Sequence, residues 1–121
     1  MMLCKGPTAT IAASASLSNA IDVGDGGLVA LMLPSGWTTA LITFLANDDL
    51  INGTYVPVFD GSGTGLVLTV VATAGVASQY IVLNPGTFSG LRYIKIQSGT
   101  VGSPVVQSST VVIKTMVRRL G

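Results

Sequence analysis

The side chains that most often carry out catalysis are scarce in this chain. Its 121 residues include no histidine and no glutamate, and they contain one cysteine, five acidic and six basic residues. General acid–base catalysis, nucleophilic catalysis and metal binding all draw on His, Glu, Asp, Cys or Lys side chains. The composition therefore argues against an enzyme, and we expect neither a cofactor nor a bound metal ion.

The acidic residues are the best candidates for metal ligands, because loops of β-sandwich proteins can bind Ca²⁺ through carboxylate oxygens. None of them follows the alternating acidic spacing of a calcium-binding loop. We interpret them instead as turn and capping residues that accept hydrogen bonds from nearby backbone N–H groups. The five residues are Asp22, Asp25, Asp48, Asp49 and Asp60.

Two further motifs have simple structural interpretations. The segment Gly61-Ser62-Gly63-Thr64-Gly65 resembles a phosphate-binding loop only superficially, since no lysine follows it and no helix is predicted after it. A hairpin turn is the better interpretation. The single Cys4 has no partner for a disulfide within the chain, and we predict an ordinary free thiol.

Four aromatic side chains, Trp37, Tyr55, Tyr80 and Tyr93, could bind a sugar by stacking on its ring. Trp37, Tyr55 and Tyr93 would form such a site if at least two of them were exposed on one rim of the domain. Aromatic residues make up only 6% of the chain, and we expect Trp37 to pack inside because it adjoins an apolar segment. Sugar binding stays an alternative function.

The chain is unusually apolar and weakly charged. Apolar residues account for 49% and charged residues for 9%, whereas a typical soluble domain has about 25% charged residues. Much of the surface must then consist of Ser, Thr and Gly, or must be buried against other subunits. This composition favours a component of an assembly.

The charges are divided unevenly along the chain. All the acids lie in the first half, and five of the six bases lie after residue 90, so copies could bind head to tail through complementary charge. Solvated charges in loops are the alternative interpretation. The net charge of +1 does not favour nucleic acid as a partner.

A membrane partner is also not expected, although the mean hydropathy is +0.68. Residues 26–47 carry no charge, but Pro34, Ser35 and Gly36 divide them into two apolar segments of strand length. The N-terminal residues lack the longer apolar region of a signal peptide.

Short β-branched segments separated by Gly and Pro predict an all-β fold, an antiparallel, jelly-roll-like β-sandwich of about eight or nine strands. The apolar segment 28–33 is typical of a strand covered on both faces, by the core or by a neighbouring subunit. Segment 38–47 is predicted to be a central strand, and Pro57 indicates an edge or a bulge. The candidate strands are 8–14, 16–23, 28–33, 38–47, 55–59, 66–73, 79–83, 92–98 and 105–118.

We predict two regions, an N-terminal arm over residues 1–13 and a single sandwich domain over residues 14–121. The arm is small and nearly uncharged, so we expect it to become ordered only on a neighbouring subunit. The predicted partner-binding residues are Ile11 in the arm and Lys114, Arg118 and Arg119 in a basic C-terminal tail that would face acidic loops.

Several segments, taken in their order along the chain, resemble small structural proteins of tailed bacteriophages. The resemblance runs from about residue 8 to residue 113, and its most distinctive stretch runs from Phe88 to Thr100. The same stretch also resembles the corner of discoidin-type carbohydrate-binding jelly rolls, which carry more aromatic and basic loop residues. The other segments are Ala9–Ile11, Ser16–Ser18, Ile21–Gly24, Leu33-Pro34, Trp37-Thr38, Thr43-Phe44, Asp60 and Leu83–Pro85.

The phage resemblance implies a virion protein made in the host cytoplasm, with no catalytic or ligand-binding residues to transfer. Its implied role is capsid decoration: a cement protein, often a homotrimer, binds the major capsid protein on the outer capsid surface and stabilises the head. The alternatives are a tail or fibre component and a carbohydrate-binding module for host attachment.

Overall fold

Two antiparallel five-stranded sheets, packed against each other, make up the computed structural model, which describes residues 2–61 and 66–119. The elements are β1 (Met2–Lys5), β2 (Ala9–Ile11), β3 (Ile21–Asp22), β4 (Leu28–Leu33), β5 (Leu41–Asn47), β6 (Val56–Pro57), β7 (Thr69–Val71), β8 (Gln79–Val82), α1 (Pro85–Phe88), β9 (Tyr93–Ser98) and β10 (Val111–Arg119).

The first sheet is built around β10 and has the order β1-β10-β4-β8. Strands β1 and β2 lie in tandem along one edge of β10, with Leu3 opposite Arg118 and Ile11 opposite Val111. On the other edge β10 pairs with β4, and β4 pairs with β8. The first sheet therefore joins the two ends of the described chain.

The second sheet is built around β5 and has the order β3-β9-β5-β6. Strand β9 pairs with β5 along its whole length, and β6 and β7 share the opposite edge of β5. The predictions that segment 38–47 forms a central strand and that Pro57 lies at an edge are both confirmed.

The core lies between the sheets and follows from the alternation of side chains along each strand. Val111, Ile113 and Val117 of β10 point inward and are buried. From the second sheet, Phe44 packs edge-on against Phe88, with ring centroids 5.0 Å apart. Helix α1 positions Phe88, and the Asn84 side chain caps this helix by accepting from the Gly86 N–H.

The N-terminal segment corrects one prediction. Residues 2–5 and 9–11 are strands of the first sheet, and the side chains of Ala9 and Ile11 are fully buried. These residues belong to the folded sandwich, so they are not an arm that waits for a neighbour. The basic C-terminal residues from Lys114 to Arg119 lie in β10, which overlaps the candidate strand 105–118.

The predicted all-β sandwich is confirmed, and β4 has the predicted bounds. Each of the nine candidate segments contains or overlaps one strand, and β1 is the additional, tenth strand. Residues 62–65 of the predicted glycine-rich turn lie outside the described residues. On either side of them the chain pairs with itself, since the Asp60 N–H donates to the Leu66 carbonyl at 2.8 Å.

Candidate functional site

The side chains of the first sheet that point away from the core form a largely apolar surface, which we call the outer face. The strand register places Lys5, Met116, Ala30 and Val82 in one row across the sheet. The next row contains Lys114, Met32 and Tyr80. The full set is Leu3, Lys5, Ala30, Met32, Tyr80, Val82, Lys114, Met116 and Arg118.

Several apolar members of the outer face are open to solvent. Val82 is 80% exposed, Leu3 62%, Tyr80 55% and Met32 40%. The core covers the inward side chains of β4, such as Leu31 and Leu33, and neighbouring side chains of the outer face bury the small Ala30. The apolar segment 28–33 was predicted to be covered on both faces, and within this chain its outward side chain Met32 remains exposed.

Shallow grooves run along the outer face. One has a volume of about 330 Å³ and is lined by Lys5, Ala30, Leu31, Met32, Tyr80, Lys114, Thr115 and Met116. We call it the central groove. A second groove of about 330 Å³ lies beside it and is lined by Leu3, Val82 and Arg118, among others. The outer face thus offers concave apolar space, which is the form of many binding surfaces.

The charges of the outer face have one sign. Among the described residues that line these two grooves, Lys5, Lys114 and Arg118 are charged and none is acidic. The three bases lie on β1 and β10, beside the apolar side chains of β4 and β8, and this arrangement fits a partner surface that combines apolar side chains with carboxylates. It disfavours a second cationic surface.

The structure brings together two of the four residues predicted to bind a partner. Lys114 and Arg118 both lie on the outer face. Arg119 is exposed at the last described position of β10, near the turn that contains Gly24. Ile11 is fully buried, so its side chain offers no surface to a partner while β2 is paired.

Sequence reasoning missed the apolar members of the outer face. Two features of the sequence could have indicated them: the large side chains of Tyr80 and Val82 at alternate positions of β8, and the continuous apolar segment that forms β4. These strands are distant in sequence, and only the sheet order places their side chains side by side.

Of the aromatic residues considered for sugar binding, Trp37 lies apart, whereas Tyr55 and Tyr93 lie near each other at one end of the second sheet. Trp37 precedes β5 and packs against the core, as predicted, whereas Tyr93 pairs with Asn47 at the far end of β5. Tyr55 and Tyr93 each have a cation over the ring: Lys95 Nζ lies 4.8 Å and Arg92 Cζ 5.1 Å from the respective centroids. An open groove of about 640 Å³ adjoins Tyr93.

Two of the aspartates serve in turns, as the sequence indicated. Asp22 accepts the Gly24 N–H at 2.9 Å and forms an ion pair with Arg92 at 3.1 Å. The hydrogen bond from Arg92 lowers the pKa of Asp22 below its usual value. Asp49 accepts the N–H groups of Ile51 and Asn52, which lower its pKa.

Within residues 2–61 and 66–119, no three Asp, Glu, Cys or His side chains come together in a group that could hold a metal ion. No helix in those ranges has the length and apolar character needed to cross a membrane. No protein-family model, curated protein or solved structure matches the chain.

Proposed function

We propose that this protein is a structural subunit of a bacteriophage particle, a capsid decoration protein that binds the major capsid protein on the outer surface and stabilises the head. The observation that carries the proposal is the outer face, an exposed apolar surface with a basic margin. The sequence resemblance to phage structural proteins supports a bacteriophage particle as the assembly to which the chain belongs.

The mechanism we propose is burial of the outer face on neighbouring subunits of the particle, which include both the major capsid protein and further copies of this chain. Removing apolar surface from water contributes roughly 25 cal/mol per Å², so a modest contact is sufficient when symmetry repeats it around the particle. The basic residues Lys5, Lys114 and Arg118 would select partner surfaces that carry carboxylates. The role requires no chemical step, in keeping with a chain poor in acid–base groups.

The test is co-sedimentation with empty, expanded heads of the phage that encodes the chain, prepared without their own decoration protein. The wild-type protein should bind these heads and raise their melting temperature. Val82→Asp should weaken binding at least about tenfold, because it places a carboxylate in the apolar surface.

Val71→Asp is the matched control, since Val71 is a similarly exposed valine on a short strand of the second sheet. It should bind as the wild type does. Absence of wild-type binding, or equal binding by both variants, would remove the proposed role of the outer face on the head.

Sugar binding is a second candidate, and the groove beside Tyr93 is the observation that favours it. This groove is lined by polar side chains that include Asn47, Asp48 and Arg92. A glycan array tests the candidate: a hit that Tyr93→Ala abolishes would support it, and an array without hits would discard it.

A further inference from the structure

The loop that follows β5 carries a pair of acidic residues next to an exposed apolar tip. Asp48 and Asp49 precede Leu50 and Ile51, and the Ile51 side chain is 85% exposed. An isoleucine in this position gains nothing from the core of its own chain. Its side chain is available to a partner.

Hydrogen bonds within the loop hold this tip in a defined shape. The Asn47 side chain donates to the carbonyls of Asp49 and Asn52 at 2.9 and 2.6 Å. The Asp49 carboxylate accepts from the backbone of Ile51, and the Tyr55 hydroxyl donates to the Leu50 carbonyl at 3.0 Å. A loop that is already ordered loses little conformational entropy when it binds.

The central groove of the outer face is complementary to this loop in apolar character and in charge. Its floor is apolar, and Lys5 and Lys114 lie at its margin. Its volume is about 330 Å³. A protein cavity of about 150 Å³ accommodates benzene, so the groove has room for an isoleucine side chain and part of a neighbouring one.

We propose that the loop of one copy of this chain binds in the central groove of the next copy. Ile51 fills the apolar floor, and Asp48 and Asp49 face Lys5 and Lys114. This inference rests on the outer face being an assembly surface, and it names a second copy as the occupant of the groove.

Charge selects this head-to-tail arrangement over a face-to-face dimer. The loop belongs to the second sheet and the groove to the first, so a single copy presents both halves of the contact on different surfaces. Two outer faces packed on each other would bring their lysines and arginines together. A head-to-tail contact closes into a ring when its rotation allows, and a threefold rotation gives a trimer.

The first test is sedimentation equilibrium of the full chain across a range of concentrations. The wild type should associate, and Ile51→Ser should weaken association at least about tenfold. Val101→Ser is the matched control, because Val101 is an exposed valine in a loop outside both surfaces, and it should associate as the wild type does. A monomeric wild type, or equal association by both variants, would overturn the proposal.

A charge exchange tests the register of the contact. Asp48→Lys and Lys114→Asp should each weaken association, and the double variant should recover it because the pair is restored in reverse. Asp49 is left unchanged since its carboxylate holds the loop. Failure of the double variant to recover would contradict the pairing.

Zero-length cross-linking of carboxylates to amines identifies the partner directly. We expect links between Asp48 or Asp49 of one copy and Lys5 or Lys114 of another, detected by mixing isotopically distinct copies. Association without such links would show that another surface holds the copies together.

Head binding and self-association are measured separately, so the two proposals fail separately. Binding to heads by a protein that never self-associates would overturn the loop-in-groove contact and leave the decoration role standing. Self-association without binding to heads would do the reverse.

Discussion

At the scale of single residues, Gln107 shows how hydrogen bonds of a neutral side chain can hold separate segments of a weakly charged chain together. Its side chain is fully buried, and its Oε1 accepts the Thr38 N–H at 2.7 Å. Its Nε2 donates to the Thr38 carbonyl at 3.0 Å and to Ser98 Oγ at 2.8 Å. One amide therefore joins the segment before β5 to the end of β9.

Gln107→Leu should lower the free energy of unfolding by about 2 kcal/mol or more, because it leaves the buried Ser98 hydroxyl and the half-buried backbone groups of Thr38 without these partners. Gln79 is the matched control, since it binds the N–H and carbonyl of Thr73 in the same way from a half-buried position. Gln79→Leu should cost about 1 kcal/mol or less, since water can replace the lost bonds. Urea denaturation measures both values, and equal losses would contradict this account.

At the scale of elements, the N-terminal strands β1 and β2 contribute more to the folded core and the first sheet than their composition indicates. Ala9 and Ile11 are both fully buried in the core, and Ile11 is among the largest fully buried side chains of the described residues. Strand β2 lies beside Val111–Ile113 of β10, about a hundred positions away in sequence. Deleting residues 1–13 would therefore remove part of the core and one edge of a sheet.

Ile11→Ala should destabilise the fold by about 2–5 kcal/mol, as expected for a large-to-small change in a close-packed core. Val112→Ala, a change on the neighbouring strand at a side chain 43% exposed, should cost less than about 1 kcal/mol. Thermal unfolding of both variants checks the difference. A stable Ile11→Ala protein would instead support the free arm predicted from the sequence.

The elements also show how far the sequence could predict the fold. A continuous apolar run was sufficient for β4, and alternation with flanking turn residues was sufficient for β5 and β9, because these strands have apolar side chains toward the core. They failed for β1, where four residues at the N-terminus carry no clear pattern and gain their structure from pairing with β10. The small, nearly uncharged N-terminal residues predicted an arm, because composition alone gives no information about pairing between strands that are distant in sequence.

At the scale of the whole molecule, the candidate site could be predicted only in part. The weak charge and the apolar segment 28–33 indicated that some flank must be covered by another subunit, and Lys114 and Arg118, which were predicted to bind a partner, line the grooves of the outer face. The location of the apolar flank depends on sheet order, which brings β8 beside β4 and β10. Strands that are distant in sequence thus create a surface that no single segment reveals.

In the folded molecule, several of the bases and two of the acids lie on different surfaces. The bases Lys5, Lys114 and Arg118 border the outer face, whereas Asp48 and Asp49 border the exposed tip of the loop after β5. One copy therefore carries a basic apolar groove and an acidic apolar projection on different surfaces. Both belong to the assembly role proposed for the protein.

The most direct test is hydroxyl-radical footprinting of Met32, at the centre of the outer face, in dilute and in associated protein. We predict that oxidation of Met32 and Met116 slows when the protein associates, while oxidation of the exposed Phe59, which lies between β6 and β7, stays the same. Oxidation of Met32 at the same rate in both states would contradict the claim that another subunit covers this face.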